Sequence, residues 1–197
     1  MLVRFNEVAL LKRGNLSDVF TLYKSPCMRR QICPDELNFF YQKTGEAIWH
    51  LQYVEDFIAK LYFIKAVAKK PESIQASQAQ IEMDKLKKKT LGQLIGLVED
   101  NNIVSTELLE KLKNFNQQRI WIVHNSNREN KDSLYTDEGR THFIDEIRSF
   151  TKLAIELQQI IGNEVLTFTT SFGISENQIY ETANNHINKL RDKGLKL

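Results

Sequence analysis

The sequence predicts an all-α protein, a helical bundle with additions at its two ends. Three observations carry that prediction. Two long stretches, Asp35 to Lys69 and Asp137 to Ile161, repeat apolar residues at the 3.6-residue period of a helix. The chain has only 8 Gly and 3 Pro in 197 residues, too few for a turn-rich β fold. Thr90 with Gln93, and Ser175 with Gln178, are spaced as capping boxes, in which each side chain satisfies a free N–H at a helix start. At this length one good core with a small appendage is expected.

In chain order, residues 1–35 read as an N-terminal appendage packed on the main helices. Short elements are expected at Glu7 to Leu11 and Asp18 to Tyr23, with Pro26 and Pro34 as breaks. Pro34 and Asp35 open the first long helix, since an aspartate accepts from the free N–H groups there. Its core face is Leu37, Phe40, Tyr41, Ile48, Leu51, Val54, Ile58, Leu61 and Ile64. Trp49, Tyr53, Phe57 and Phe63 make a second apolar face, which predicts a place in the middle of a bundle. Gly45 offers a kink or a close neighbour, and Lys69-Lys-Pro71 ends the helix.

Glu72 to Lys89 is polar, with a thin stripe of Ile74, Ile81 and Leu86; an exposed helix or a connection is expected. Thr90 starts a helix through Glu99, and Asp100-Asn-Asn102 is turn chemistry. Ser105 caps the next helix, which leads into Arg119-Ile-Trp-Ile-Val-His124. Ile120 to Val123 are expected in the core. Asn125 to Asp132 reads as a polar loop. Phe143, Ile147, Phe150, Ala154, Leu157 and Ile161 form a packing seam, which Gly162-Asn163 is expected to stop. Val165 to Phe172 reads as a strand or a short buried helix. Residues 163–197 form a C-terminal helical extension ending in a helix from Ser175 to about Leu190.

The totals exclude several classes. Hydrophobic residues are 42% and charged residues 26%, ordinary for a globular chain. A net charge of +2 announces no global attraction to nucleic acid, so any basic site is local. Cys27 and Cys33 lack further ligands nearby, so no metal site is expected, and reduced thiols fit a cytoplasmic protein. The first residues lack the pattern of a signal peptide, and no apolar run is long enough to span a bilayer; no membrane association is expected.

The chemistry centres on Arg119 and His124. In an α-helix, five residues leave about 140° of net rotation and about 7.5 Å of rise, so the two do not share one stripe. Ile120 is the true same-face neighbour of His124. An Arg-x4-His pair on a late core helix, approached by Thr90-Leu-Gly-Gln-Leu-Ile95 and Phe115-Asn-Gln-Gln-Arg119, resembles the HEPN domains (higher eukaryotes and prokaryotes nucleotide-binding). The resemblance covers roughly residues 36–162. It implies a HEPN-like antiparallel helical bundle. It also implies a metal-independent endoribonuclease of toxin or antiviral-defence type, working as a homodimer on RNA without a cofactor, with an antitoxin or regulatory protein as a further partner.

The residue types suit that reaction. An imidazole, with an ordinary pKa of about 6.5, gives and takes protons near neutral pH. A guanidinium offers a fork of donors shaped for phosphate oxygens. Together they suit attack of a ribose 2′-hydroxyl on its own phosphodiester: a base removes the hydroxyl proton, an acid protonates the leaving oxygen, and the cation holds the charge growing on phosphorus. One histidine does not readily serve as both base and acid. A two-fold dimer supplies two of each group to one groove.

Lys87, Lys88 and Lys89, with Asn125, are the expected nucleic-acid contacts, with Lys85, Arg29 and Arg30 as further cations. Trp49 and Trp121 are expected in the core, and His50 as a hydrogen-bonded core histidine. Ile120 follows Arg119 where active HEPN members often carry asparagine. It grounds the alternative, a catalytically inactive HEPN-like module that binds RNA, a nucleotide or a partner protein. A purely structural helical protein is a third class.

Overall fold

In the computed structural model, residues 31–70, 73–125, 128 and 133–194 are described. The described residues form helices and turns, with no strand among them. The chain falls into two units, Cys27–Phe168 and one that takes in Thr169–Leu197 together with residues 1–26. The short elements expected before Pro26 lie outside the described residues.

In the larger unit, α1 spans Pro34–Tyr62 and continues as a π-helical segment, Phe63–Ala68. Asp35 was expected to cap it. The cap is instead Cys33, whose backbone N–H donates to the Glu36 carboxylate at 3.0 Å. The segment closes on Lys69, at φ +59°, whose N–H donates to the Ile64 carbonyl. Helix α2 (Ala76–Leu86) is the exposed helix of the polar stretch, with Leu86 its one buried residue. Helix α3 (Leu91–Asp100) starts at the Thr90–Gln93 capping box: Thr90 N–H donates to Gln93 Oε1 at 2.9 Å, and Gln93 N–H to Thr90 Oγ1 at 3.4 Å. Helix α4 (Thr106–Ile120) is capped by Ser105, which accepts from Leu108 N–H. It continues as a π-helical turn, Trp121–Asn125.

Helix α5 runs from Asp137 to Thr170, straight through Gly162 and the stretch expected to be a strand or separate helix. A Cβ at Gly162 would lie 3.5 Å from the Phe57 ring, an ordinary contact, so neither close packing nor a helix end requires the glycine. The stop comes at Gly173, whose φ of +81° is the left-handed conformation that ends helices. In the smaller unit, Ser175 and Gln178 form the second capping box and start α6 (Glu176–Gly194), which has no buried residue.

Pairwise contacts fix the directions. Phe40 stacks on Phe143 at 5.6 Å, Gln158 bonds His50, and Lys65 pairs with Glu164 at 2.6 Å, so α1 and α5 run the same way. Lys111 pairs with Glu156, Phe115 stacks on Phe150 at 4.6 Å, and Trp121 meets Phe143 edge-on at 6.2 Å, so α4 runs against α5. Lys113 pairs with Glu99 while Asn116 lies beside Gly92, making α3 and α4 an antiparallel hairpin. The core between them holds Leu51, Val54, Ile58, Leu94, Val98, Leu112, Phe115, Ile144, Phe150 and Leu157. No described helix is long and apolar enough to cross a membrane.

Two groups of apolar expectations differ from what is found. On α1, Tyr41, Ile48 and Trp49, expected inside, are 65%, 36% and 64% exposed. In the Arg119–His124 stretch only Ile122 is buried, while Ile120 and Val123 are 43% and 42% exposed. The short length of α3 explains the second difference.

Candidate functional site

Helix α3 bridges α1 and α4 over only part of their length. Its first residue, Leu91, presents its backbone N–H to Glu55 on α1. Its second, Gly92, packs beside the Asn116 amide on α4. Beyond that level the chain turns away through Lys87–Thr90 toward α2. The stripes that α3 covers continue without it. On α1, Ile48 lies seven residues before Glu55; on α4, Ile120 lies four residues after Asn116, and Val123 follows in the π turn. Residues at these spacings share a helix face. Ile48, Ile120 and Val123 are all exposed, as the missing cover requires. Past the N-terminus of α3, the Ile48 stretch of α1 and the end of α4 therefore lie uncovered.

Arg119 sits in the last turn of α4, half-buried, beside this uncovered end. Its Nε is buried and has no hydrogen-bond partner among the described residues. Burial pushes the Glu55 carboxyl above its ordinary range; the positive field of Arg119 and the Leu91 N–H pull it partly back. His124 lies five residues on, in the π turn, and is exposed. The π turn matters because its i→i+5 hydrogen bonds advance the chain less per residue than an α-helix does, so His124 swings back toward the Arg119 face. Trp121 seats the turn on Phe143, which stacks on Phe40. Neither a hydrogen bond nor an ion pair joins Arg119 to His124 among the described residues, and none orients the His124 ring.

The lysines divide. Lys87 and Lys89 border a cavity of about 130 Å³ with Gln52, Glu55 and Asp56, while Lys88 projects from the same turn without lining it. Glu55 therefore shares this cavity with Lys87 and Lys89. Asn125 closes the π turn, and its side chain lies outside the described residues. A second cavity, about 240 Å³, lies between α1 and α5 beside Lys43, Arg148 and Lys152. Among the described residues, no three His, Cys, Asp or Glu side chains gather as a metal would need.

Glu55 is the site residue that the sequence reading passed over. The signal was present: it is a lone acid on the apolar stripe Ile48, Leu51, Ile58. An acid interrupting such a stripe needs a polar neighbour. Compared with protein-family models, with curated proteins and with solved structures, the chain matches none.

Proposed function

We propose that the protein is a metal-independent endoribonuclease of HEPN-like build, cleaving RNA by 2′-hydroxyl attack at the exposed end of α4 that carries Arg119 and His124. The observation that carries the proposal is the pairing of Arg119, with a buried donor that nothing takes up, and an exposed His124 set on a π turn. Arg119 contacts the scissile phosphate and stabilises its added charge; His124 moves the proton. Lys87 and Lys89, across Glu55, extend the positive surface along which a strand is held. Ile120 and Val123 leave an apolar rim beside His124. A second copy meeting this rim brings a second His124 beside the first, which supplies the acid and base that one imidazole does not readily combine. The regulatory partner of such a nuclease, an antitoxin-type protein, belongs to the same reading.

The test is incubation of purified protein with end-labelled RNA in EDTA. Fragments ending in 2′,3′-cyclic phosphate are expected; a strict requirement for divalent metal contradicts the chemistry. One observation favours a second reading, an inactive module that binds RNA, a nucleotide or a partner: among the described residues nothing holds the His124 ring in a working orientation. Retained RNA with no fragments selects that reading.

A further inference from the structure

We infer that the cleft between α1 and α5 binds a small phosphate monoester, at a site separate from the Arg119–His124 end of α4. The cleft holds a cavity of about 240 Å³. Lys43 and Glu46 border it from α1, and Arg148 and Lys152 from α5. Its apolar wall is Ile147 and Ile155, two turns apart on α5.

Three cations around one space repel one another, and the nearby acids do not balance them. Glu46 takes up Lys43 at 2.8 Å. Asp145, on the preceding turn, reaches Arg148 only at 3.5 Å. Lys152 makes no ion pair or hydrogen bond among the described residues. Its helix neighbours account for this. Arg148, four residues before it, is a like charge. Glu156, four residues after it, is engaged by Lys111 of α4 at 2.9 Å. An anion in the cleft relieves the repulsion.

The donors select its class. The Thr151 hydroxyl donates to the Ile147 carbonyl at 2.9 Å, so its proton is used within α5. The donors that remain are Arg148 and Lys152, with Lys43 shared with Glu46. A phosphate monoester brings nearly two negative charges and three terminal oxygens to them, more than a carboxylate or a phosphodiester does. The volume, about 240 Å³, is below the roughly 300–1,000 Å³ of pockets for drug-sized ligands. The organic part is therefore small, and it packs on Ile147 and Ile155. No aromatic ring lines the cleft, so stacked bases have no platform there. The inference stands apart from the proposed nuclease reading.

Butyl phosphate and inorganic phosphate are titrated into the full chain, followed by isoleucine-methyl NMR. Ile147 and Ile155 report the cleft, and Ile120 the end of α4. The two cleft signals should shift in the wild type, and butyl phosphate should bind more tightly than inorganic phosphate. Lys152→Gln and Arg148→Gln should each weaken butyl phosphate about ten-fold or more. Both side chains are exposed, so the variants should fold. Glu46→Gln should tighten it several-fold by freeing Lys43 and removing a repelling carboxylate. Ile155→Ser, read at Ile147, should cancel the preference for the butyl ester.

Cleft signals that stay still, or that titrate alike in the wild type and Lys152→Gln, overturn the inference. Shifts confined to Ile120 place the anion at the end of α4 and overturn it, leaving the proposed function standing. A single-stranded 2′-deoxyoligonucleotide that displaces butyl phosphate at Ile155 makes the cleft a strand-binding surface and overturns the monoester assignment.

Discussion

The buried Arg140–Glu36 ion pair offers a test of the packing account. Arg140 is fully buried and Glu36 is 4% exposed. Arg140 donates from Nε to the Leu134 carbonyl at 2.7 Å; its Nη1 lies 3.1 Å from Asp137 and 3.6 Å from Glu36. Glu36 also accepts the Cys33 N–H at the start of α1. The pair ties the start of α1 to the start of α5, one turn from the Phe40–Phe143 stack on which Trp121 rests. Arg140→Ala removes one side and leaves a buried carboxylate behind. That change costs about 3–5 kcal/mol. For a chain of this size each kcal/mol is worth about 2–4 °C, so the melting temperature should fall by about 6–20 °C. Replacing both, Glu36→Leu with Arg140→Met, should recover most of the loss, since an apolar pair of similar volume is neutral or better. About 1 kcal/mol should remain missing for the lost cap at Cys33. Thermal melts followed by far-UV circular dichroism make the measurement. An Arg140→Ala variant that melts with the wild type, or a double variant no better than the single one, refutes the reasoning.

Other expectations follow from the same geometry. Phe150→Ala removes the ring stacked on Phe115 at 4.6 Å and should lower stability by about 3–5 kcal/mol in denaturant titration. Gly162→Ala should stabilise by up to about 1 kcal/mol in the same assay, because its new Cβ meets Phe57 at the ordinary distance of 3.5 Å and the helix loses a glycine. Glu55 has a folded-state pKa above its unfolded value, so its stability contribution is complete below the unfolded pKa and lost as pH rises through the folded one. Glu55→Gln should therefore raise the melting temperature at neutral pH, and the gain should vanish in acid.

Much of the fold was legible because periodicity and caps are local. The Thr90, Ser105 and Ser175 starts fall where their side chains predict, and the Phe143 to Ile161 seam packs on α1 and α4 as its spacing requires. Gly162 misled because a glycine signals a helix end only where the backbone turns left-handed, and that happens at Gly173. Ile120 and Val123 misled for a tertiary reason: their exposure is set by where α3 begins, thirty residues earlier in the chain. The π turn was not legible either. The Arg119–His124 spacing argued against a shared face in an α-helix, and only the wider turn relaxes that objection. Glu55 showed itself as an acid on an apolar stripe, but the cavity it lines with Lys87 and Lys89 joins segments far apart in the sequence.

The central claim is that His124 moves a proton while Arg119 steadies the phosphate. The most direct measurement is the rate at which 2′,3′-cyclic-phosphate ends appear from labelled RNA with the wild type and with His124→Ala, at matched melting temperature. His124 is exposed, so the variant should fold normally and yield no such ends while the wild type yields them. Equal rates from the two proteins contradict the account.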